Sequence, residues 1–363
     1  MSSERPVRKH GIRGMRVSAA DVARAVGVSP ATVSYVLNDR PGVSQDMRDR
    51  VLGTARELGY PLQAHQRDKG RERTRVIGLI LQDIANPFYT EVSAGVIDAA
   101  RARDYEVFLA HTQESGEMLA KVVDTMITRR VDGIVITVLH PEDGEVVRRL
   151  RGAGVPFIQF SRRIPDLRAD FVGIDDFAVA SDILRHVVED HGHTDVAVIT
   201  GPPNSSASST RAAGFVSTAQ AIGLSLPPHR RFNAYLTAEG GHTVVQRLMV
   251  RRDLPRAIVC GSDAIASGVI GALRSQGLRV PDDVAVTGVD GVFPAASMLA
   301  ELTTISVPRR RMAELSVEQL IRRVDGVGGP PQVLTQPHRL RIGTSCGCRP
   351  DSLVSWPSAA QDG

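Results

Sequence analysis

Polar and aromatic residues stand at or just beyond the ends of short apolar runs through the longer, C-terminal part of this chain. Asn86 and Phe88 follow VIGLIL (76–81), Phe160 ends FIQF (157–160) shortly before Arg162, and Asp175 follows FVGI (171–174). Arg211 closes the Ser-rich stretch SSASSTR, Ser262 follows AIVC (257–260), and Asp290 follows VAVTGV (284–289). If the runs are strands of open parallel sheets, these residues face the crevice where such sheets bind ligands. Carboxylates beside a guanidinium fork suit a polyhydroxylated small molecule, because each hydroxyl both donates and accepts. Phe88 and Phe160 offer faces on which a sugar ring can stack, or belong equally well to the core. Asp263 reads instead as the cap of a helix that begins at Ala264.

Other constellations are weaker. His191-Gly192-His193, with Asp190 and Asp195 nearby, falls between a helical pattern and the run VAVIT (196–200), so Gly192 reads as a helix stop. Cys346-Gly347-Cys348 has no second pair and reads as two free thiols. Neither supplies a closed ligand shell, so no metal is expected. The chain has no GxGxxG after a strand, no GxxxxGK[ST] and no HExxH, so neither an enzyme nor a cofactor is expected.

The elements that must position these residues alternate. VIGLIL, YEVFLA (105–110), GIVIT (133–137), FIQF, FVGI, VAVIT, AIVC and VAVTGV are mostly separated by helical patterns. Strand, helix and strand in turn, with buried Val and Ile runs, predict an α/β region of parallel sheets wrapped by helices. So many units predict two sheets, with a TIM barrel as the competing architecture. Hydrophobic content of 42% over 363 residues suffices for two or three packed units. No apolar run is long enough to span a membrane. The start, MSSERPVRKHGIRGMR, has no apolar signal core, and three cysteines cannot all pair, so a cytoplasmic location is expected.

Charge is uneven. Residues 1–75 carry 15 Lys or Arg against 8 acids, whereas the remainder has 29 against 32. A basic surplus confined to one end is the footprint of a polyanion binder, or of a solvated tail. Within it, Val22, Ala23 and Val26 share a helical face and Gly27 marks a turn. Ser29 caps a second helix with Pro30 in its first turn, and Val33, Val36 and Leu37 face the first helix. Pro30, Ala31, Ser34, Tyr35 and Asn38 are left on the outer side. After the Pro41-Gly42 turn, Ser44 caps a third helix that turns Met47, Val51, Ala55 and Leu58 inward before Gly59. Two helices joined by a tight turn, with a basic surround, predict a helix-turn-helix whose second helix enters a DNA major groove.

This stretch resembles the headpiece of the lactose and galactose repressor (LacI/GalR) family in the order Asp21-Val22-Ala23, Gly27-Val28-Ser29, Thr32-Val33-Ser34, Leu37-Asn38. The resemblance implies that Pro30 and Ala31 read bases, with Ser29, Thr32, Ser34 and Asn38 near phosphates or bases. It also implies that Ser18, Ser44 and Tyr60 contact phosphates. Tyr35 stands where many members hold Arg, and a phenol cannot make the bidentate contact to guanine. The family's linker ends in a Leu that wedges into the minor groove; here Lys69 and Gly70 occupy that region. An ammonium does not intercalate, so Lys69 or Arg67 is expected to touch a phosphate, or the segment to act as a plain linker.

The resemblance continues into the C-terminal region. It implies two doubly wound lobes of the periplasmic-binding-protein type with an effector between them, touched by Arg211, Asp290, Asp175 and Ser262. Family members often show Asn-Asp where Ser262-Asp263 stands, and a second acid where Gly291 stands. The expected organisation is a basic tail (1–15), a headpiece (16–60), a linker (61–75), a two-lobed effector-binding and dimerisation region (76–345) and a C-terminal tail (346–363). The expected function is that of a homodimeric transcription regulator, a repressor that binds a palindromic double-stranded DNA operator under control of a small carbohydrate effector. The alternative is a cytoplasmic sugar-binding or sugar-modifying protein whose headpiece has lost its DNA function.

Overall fold

The computed structural model describes residues 18–37, 42–58, 73–137, 140, 142–292 and 301–349. Asn38, Tyr60, Arg67, Lys69 and Gly70, together with the basic stretch 1–15, lie outside the described residues. The chain divides into two compact units, one ending at Arg73 and one starting at Thr74.

In the first unit, helices α1 (Ala19–Val26), α2 (Pro30–Leu37) and α3 (Gln45–Glu57) enclose a small core of Val22, Ala23, Val33, Val36, Val51 and Ala55. Serine starts each helix. Ser18 and Asp21 form a reciprocal capping box, the Ser29 hydroxyl accepts from the Thr32 amide at 3.0 Å, and the Ser44 hydroxyl accepts from the Met47 amide at 3.4 Å. Gly27 at φ +77° ends α1. The inward position expected for Leu58 does not hold: it lies past the end of α3 and is exposed.

The second unit holds two six-stranded sheets. In chain order its elements are β1 (Val76–Leu81), α4 (Pro87–Arg101), β2 (Glu106–His111), α5 (Gly116–Thr128), β3 (Gly133–Ile136), α6 (Gly144–Ala153), β4 (Phe157–Phe160), β5 (Asp170–Ile174), α7 (Asp176–Arg185), β6 (Val196–Thr200), α8 (Ser206–Ala221), β7 (Arg231–Asn233), α9 (Ala238–Arg251), β8 (Ala257–Cys260), α10 (Asp263–Ser275), β9 (Ala285–Asp290), β10 (Thr303–Ser306), α11 (Arg309–Val324), β11 (Val333–Gln336) and β12 (Arg339–Arg341). The first sheet runs β11-β5-β4-β3-β1-β2 with every pair parallel. The second runs β12-β10-β9-β8-β6-β7, parallel except where β12 pairs with β10. Both sheets are open, which excludes the barrel. The apolar runs recognised in the sequence correspond to β1–β6, β8 and β9; the short β7, β10, β11 and β12 carry no comparable run.

Alternation along the strands explains why both sheet faces are covered. Ile77, Leu79 and Leu81 of β1 pack with α4 and α11, whereas Ile80 turns to the α5 and α6 side with Leu119, Val123 and Leu150. In the second lobe Val198 and Val259 face α7 and α8, and Ile199, Ile258 and Cys260 face α9 and α10. The chain passes between lobes at β5–α7, β10–α11 and β11–β12, because α11 and β11 return to the first sheet. Asp170 anchors that return. Its carboxylate accepts from Arg323 Nε at 2.7 Å, from Gln319 at 3.1 Å and from the Gln332 amide at 2.7 Å. Asp170→Ala leaves the Arg323 guanidinium half-enclosed without its partner, and is expected to destabilise the core by about 3 kcal/mol. Chemical denaturation followed by far-ultraviolet circular dichroism would check this, and an unchanged midpoint would refute the anchoring role.

Candidate functional site

Two sets of polar residues meet along the seam between the lobes. On the second-lobe side, Arg211 projects from α8 and is nearly fully buried. Its Nε donates to Asp176 Oδ1 at 2.7 Å, and a terminal nitrogen donates to the Gly261 carbonyl at 2.5 Å. Asp290, at the end of β9, completes the electrostatic cluster and is pushed up to about 7. Burial is the main cause; Arg211 opposes it and the Asp263 carboxylate adds to it. Burial likewise raises Asp176 against the pull of Arg211. Arg309, at the second lobe crossing, donates to the carbonyls of Asp290 and Gly291 and reaches Glu91 of α4 at 2.7 Å.

On the first-lobe side, Arg162 is buried just past β4. It donates to Glu114 at 3.0 Å and to Gln82 at 2.8 Å, and Gln82 also accepts from the Tyr89 hydroxyl at 3.0 Å. Glu114 pairs in turn with His140 Nε2 at 2.8 Å. Burial pushes Glu114 upward, but the His140 bond and the charge of Arg162 prevail and hold it below the ordinary carboxylate range. The same bond raises His140 against its own burial. Among the described residues, hydrogen bonds also cross the seam from this side. His140 Nδ1 meets the Asn204 carbonyl at 3.1 Å, the Asn86 amide donates to the Leu236 carbonyl at 3.3 Å, and the Arg163 amide donates to Ser206 Oγ at 2.9 Å. Ser205, which starts α8, is fully buried and its hydroxyl has no hydrogen-bond partner among the described residues.

The structure thus brings Asn86, Arg162, Arg211, Ser262 and Asp290 to this seam, and revises the expectations for Asp175, Phe160, Phe88 and Asp263. Asp175 is an exposed cap whose Oδ1 accepts from the Phe177 and Ala178 amides at 3.1 and 3.0 Å; its buried neighbour Asp176 holds Arg211. Phe160 has no exposed surface and lies in the core, so no ligand can stack on it in this conformation. Phe88 is also buried and packs edge-on against Tyr89. Asp263 is not the cap of α10. Ser262 takes that place, its hydroxyl accepting from the Ile265 amide at 3.2 Å, while Asp263 is fully buried and accepts from Thr304 and the Val292 amide. Gln82, Glu114 and His140 escaped the sequence reading, although each follows a strand and the same rule would have found them; Asp176 stood beside Asp175 past its strand, but Asp175 was preferred. Gly291 has a local cause: its φ is +70°, and a Cβ there would lie 2.8 Å from Ser306 Cα.

In the headpiece the outer side of α2 shows Pro30, Ala31, Ser34 and Tyr35 exposed and Thr32 half-buried, with Thr32 Oγ1 2.9 Å from Ser29 Oγ. Residues 74–345 match the model described as periplasmic binding proteins and sugar binding domain of LacI family. Residues 19–61 match that of bacterial regulatory proteins, lacI family. The chain belongs to the LacI family.

Its LacI-family relatives include the ribose operon repressor of Escherichia coli K12, 31% identical over 84% of this chain and 92% of that protein. The HTH-type transcriptional regulator MalR of Streptomyces coelicolor is 33% identical over 87% of this chain and 92% of that one. Among solved structures, a complex of the transcriptional regulator CelR with cellobiose superposes with a TM-score of 0.68 at 27% identity, covering 91% of this chain and all of that one. A match across the headpiece, whose core and caps are intact, disfavours a headpiece that has lost its DNA function. Among the described residues no helix is long and apolar enough to cross a membrane.

The Asp290 shift sets a pH dependence. Its folded value of about 7 lies above the ordinary 3.8, so its stabilising contribution is complete below 3.8 and is lost as pH rises through about 7. Thermal unfolding at about pH 5 and about pH 8 should show a smaller fall in Tm for Asp290→Asn than for the wild type. Equal falls would show that Asp290 ionises normally.

Proposed function

We propose that this LacI-family chain is a homodimeric, sequence-specific transcription repressor whose two-lobed core closes on a small carbohydrate or carbohydrate derivative. The observation that carries the effector half is the buried Arg211–Asp176–Asp290 cluster at strand ends on the lobe seam. A guanidinium fork beside carboxylates offers donors and acceptors together, which hydroxyl groups require and a purely apolar ligand does not. Asn86, Arg162, Ser262 and the unpartnered Ser205 hydroxyl supply further polar atoms there. Relatives named for ribose and a solved complex with cellobiose support this ligand class.

The DNA half rests on α2. Its outer side presents Pro30, Ala31, Ser34 and Tyr35, and the serine-capped N-termini of α1, α2 and α3 support phosphate contacts by Ser18, Ser29 and Ser44. Asn38, Tyr60, Arg67 and Lys69 are proposed to add contacts from outside the described residues. One headpiece makes few contacts, so two copies on two half-sites supply the affinity. The switch is a population shift: the effector must bind the DNA-competent and DNA-incompetent states unequally. The proposed cellular site is the cytoplasm, where the operator is.

Selection of sites from random duplex DNA is expected to enrich a palindrome, and Tyr35→Arg to add a guanine preference at one position in each half-site. Enrichment of a single, unrepeated half-site would argue against the dimer. Addition of the matching carbohydrate is expected to change operator affinity by ~5–150-fold. Arg211→Lys keeps the charge but loses the fork, so it is expected to retain operator binding and lose most of that response. An unaltered response in this variant would remove Arg211 from the effector site.

A further inference from the structure

Away from the seam, the second lobe gathers four metal-ligating side chains that neither the effector site nor the headpiece uses. After α7 the helix widens into a π turn over His186–Asp190, and His191 follows as its cap. The five-residue spacing of a π turn brings His186 and His191 to one side, with ring centroids 4.8 Å apart. From the other end of the chain, Cys346 and Cys348 reach the same place, with Gly347 between them at φ +104°. The donor atoms His186 Nε2, His191 Nε2, Cys346 Sγ and Cys348 Sγ all lie within 4.8 Å of one another.

The spacing is that of a coordination shell. Zinc bonds of ~2.3 Å to sulfur and ~2.0–2.1 Å to nitrogen, arranged tetrahedrally, set neighbouring donors about 3.3–3.8 Å apart. The two histidine nitrogens are 3.3 Å apart, Cys346 Sγ is 3.4 Å from His186 Nε2, and Cys348 Sγ is 3.3 Å from His191 Nε2 and 3.8 Å from His186 Nε2. Hydrogen bonding alone does not account for this. An imidazole nitrogen carries one proton or one lone pair, yet three donor atoms crowd His186 Nε2. The opposite ring nitrogen, Nδ1, lies 2.8 Å from Asp190 Oδ2. A carboxylate there holds the proton on Nδ1 and turns the Nε2 lone pair toward the cluster, as it does for metal-bound histidines. The Thr303 hydroxyl, 2.9 Å from Cys346 Sγ, can donate to a thiolate. Cys346 and His186 are buried, and Cys348 and His191 partly so.

We propose that His186, His191, Cys346 and Cys348 form a structural zinc site that clamps the C-terminal segment to the end of α7. Two thiolates and two imidazoles are a borderline-soft set that prefers Zn²⁺ over Mg²⁺ or Ca²⁺, and four protein ligands leave no open position for catalysis. The sequence alone predicted no metal because it presents two short clusters about 155 residues apart in the chain, neither of which closes a shell. The fold joins them, and it substitutes His186 for the more conspicuous His193.

The test uses the full chain, purified without chelator and kept reduced. Elemental analysis is expected to find about one zinc per chain. Titration of the zinc-stripped protein with Co²⁺ is expected to produce thiolate-to-cobalt charge-transfer absorption and the d–d bands of a tetrahedral centre. Cys348→Ser, at a half-exposed position, should abolish the charge-transfer band of that thiolate and bound zinc while operator binding shows that the protein still folds. Asp190→Asn should keep the ligands but weaken zinc by ~10–100-fold. Chelator should lower the Tm of the wild type and not that of Cys348→Ser. The proposal is overturned if reduced wild-type protein holds no zinc and gives no tetrahedral cobalt spectrum, or if intact mass before reduction shows Cys346 and Cys348 joined as a disulfide in freshly isolated protein.

Discussion

A guanidinium removed from water must be answered by carboxylates and carbonyls, and the core is arranged around that requirement at Arg211. Its partners come from separate parts of the chain: Asp176 from the first lobe crossing, the Gly261 carbonyl from the end of β8, and the nearby Asp290 from the end of β9. Holding them together fixes the relation of α7, α8 and the strand ends of the second lobe. Asp263 is buried close by and is pulled in turn by Arg341. Burial pushes Asp290 up to about 7, prevailing over Arg309, which arrives at the second crossing and lowers it.

Polar bonds and apolar packing both hold the seam. The hydrogen bonds from His140, Asn86 and Arg163 to the second lobe are each worth about 1 kcal/mol net. The lobes themselves are stiff. Each sheet is covered on both faces, and one hydrophobic cluster runs from β1 and α4 through β5 to α7, α8 and β9. The lobes are joined by this shared apolar cluster, by polar bonds and by three chain crossings.

The C-terminal segment does more than end the chain. α11 and β11 return to the first sheet, where Asp170 grips Arg323, and β12 pairs with β10 in the second. Beyond β12, Ser345 donates to the Val286 carbonyl and Cys346 is buried against Thr303 and His186. The packed core therefore extends past residue 345, where a tail was expected to begin.

Much of this protein could be read from the chain itself. The apolar runs of β1, β3–β6, β8 and β9 are buried on both faces and so spell themselves out as continuous apolar stretches, that of the edge strand β2 is only partly buried, and the headpiece helices announce themselves through serine caps and a glycine stop. Those signals are local, because they concern the hydrogen bonding and burial of neighbouring residues. The strands β7, β10, β11 and β12 were not legible, since they are short and gain their stability from a sheet edge or a distant partner. At the site, position past a strand end was legible, but the choice of Asp176 over Asp175 was not. Adjacent residues at the start of a helix point in different directions, and only the packed helix shows which carboxylate faces Arg211 and which caps. Phe160 was decided by packing, because both faces of β4 are covered. The meeting of His186 and His191 with Cys346 and Cys348 depends on two segments distant in sequence arriving at one point, which tertiary packing alone determines.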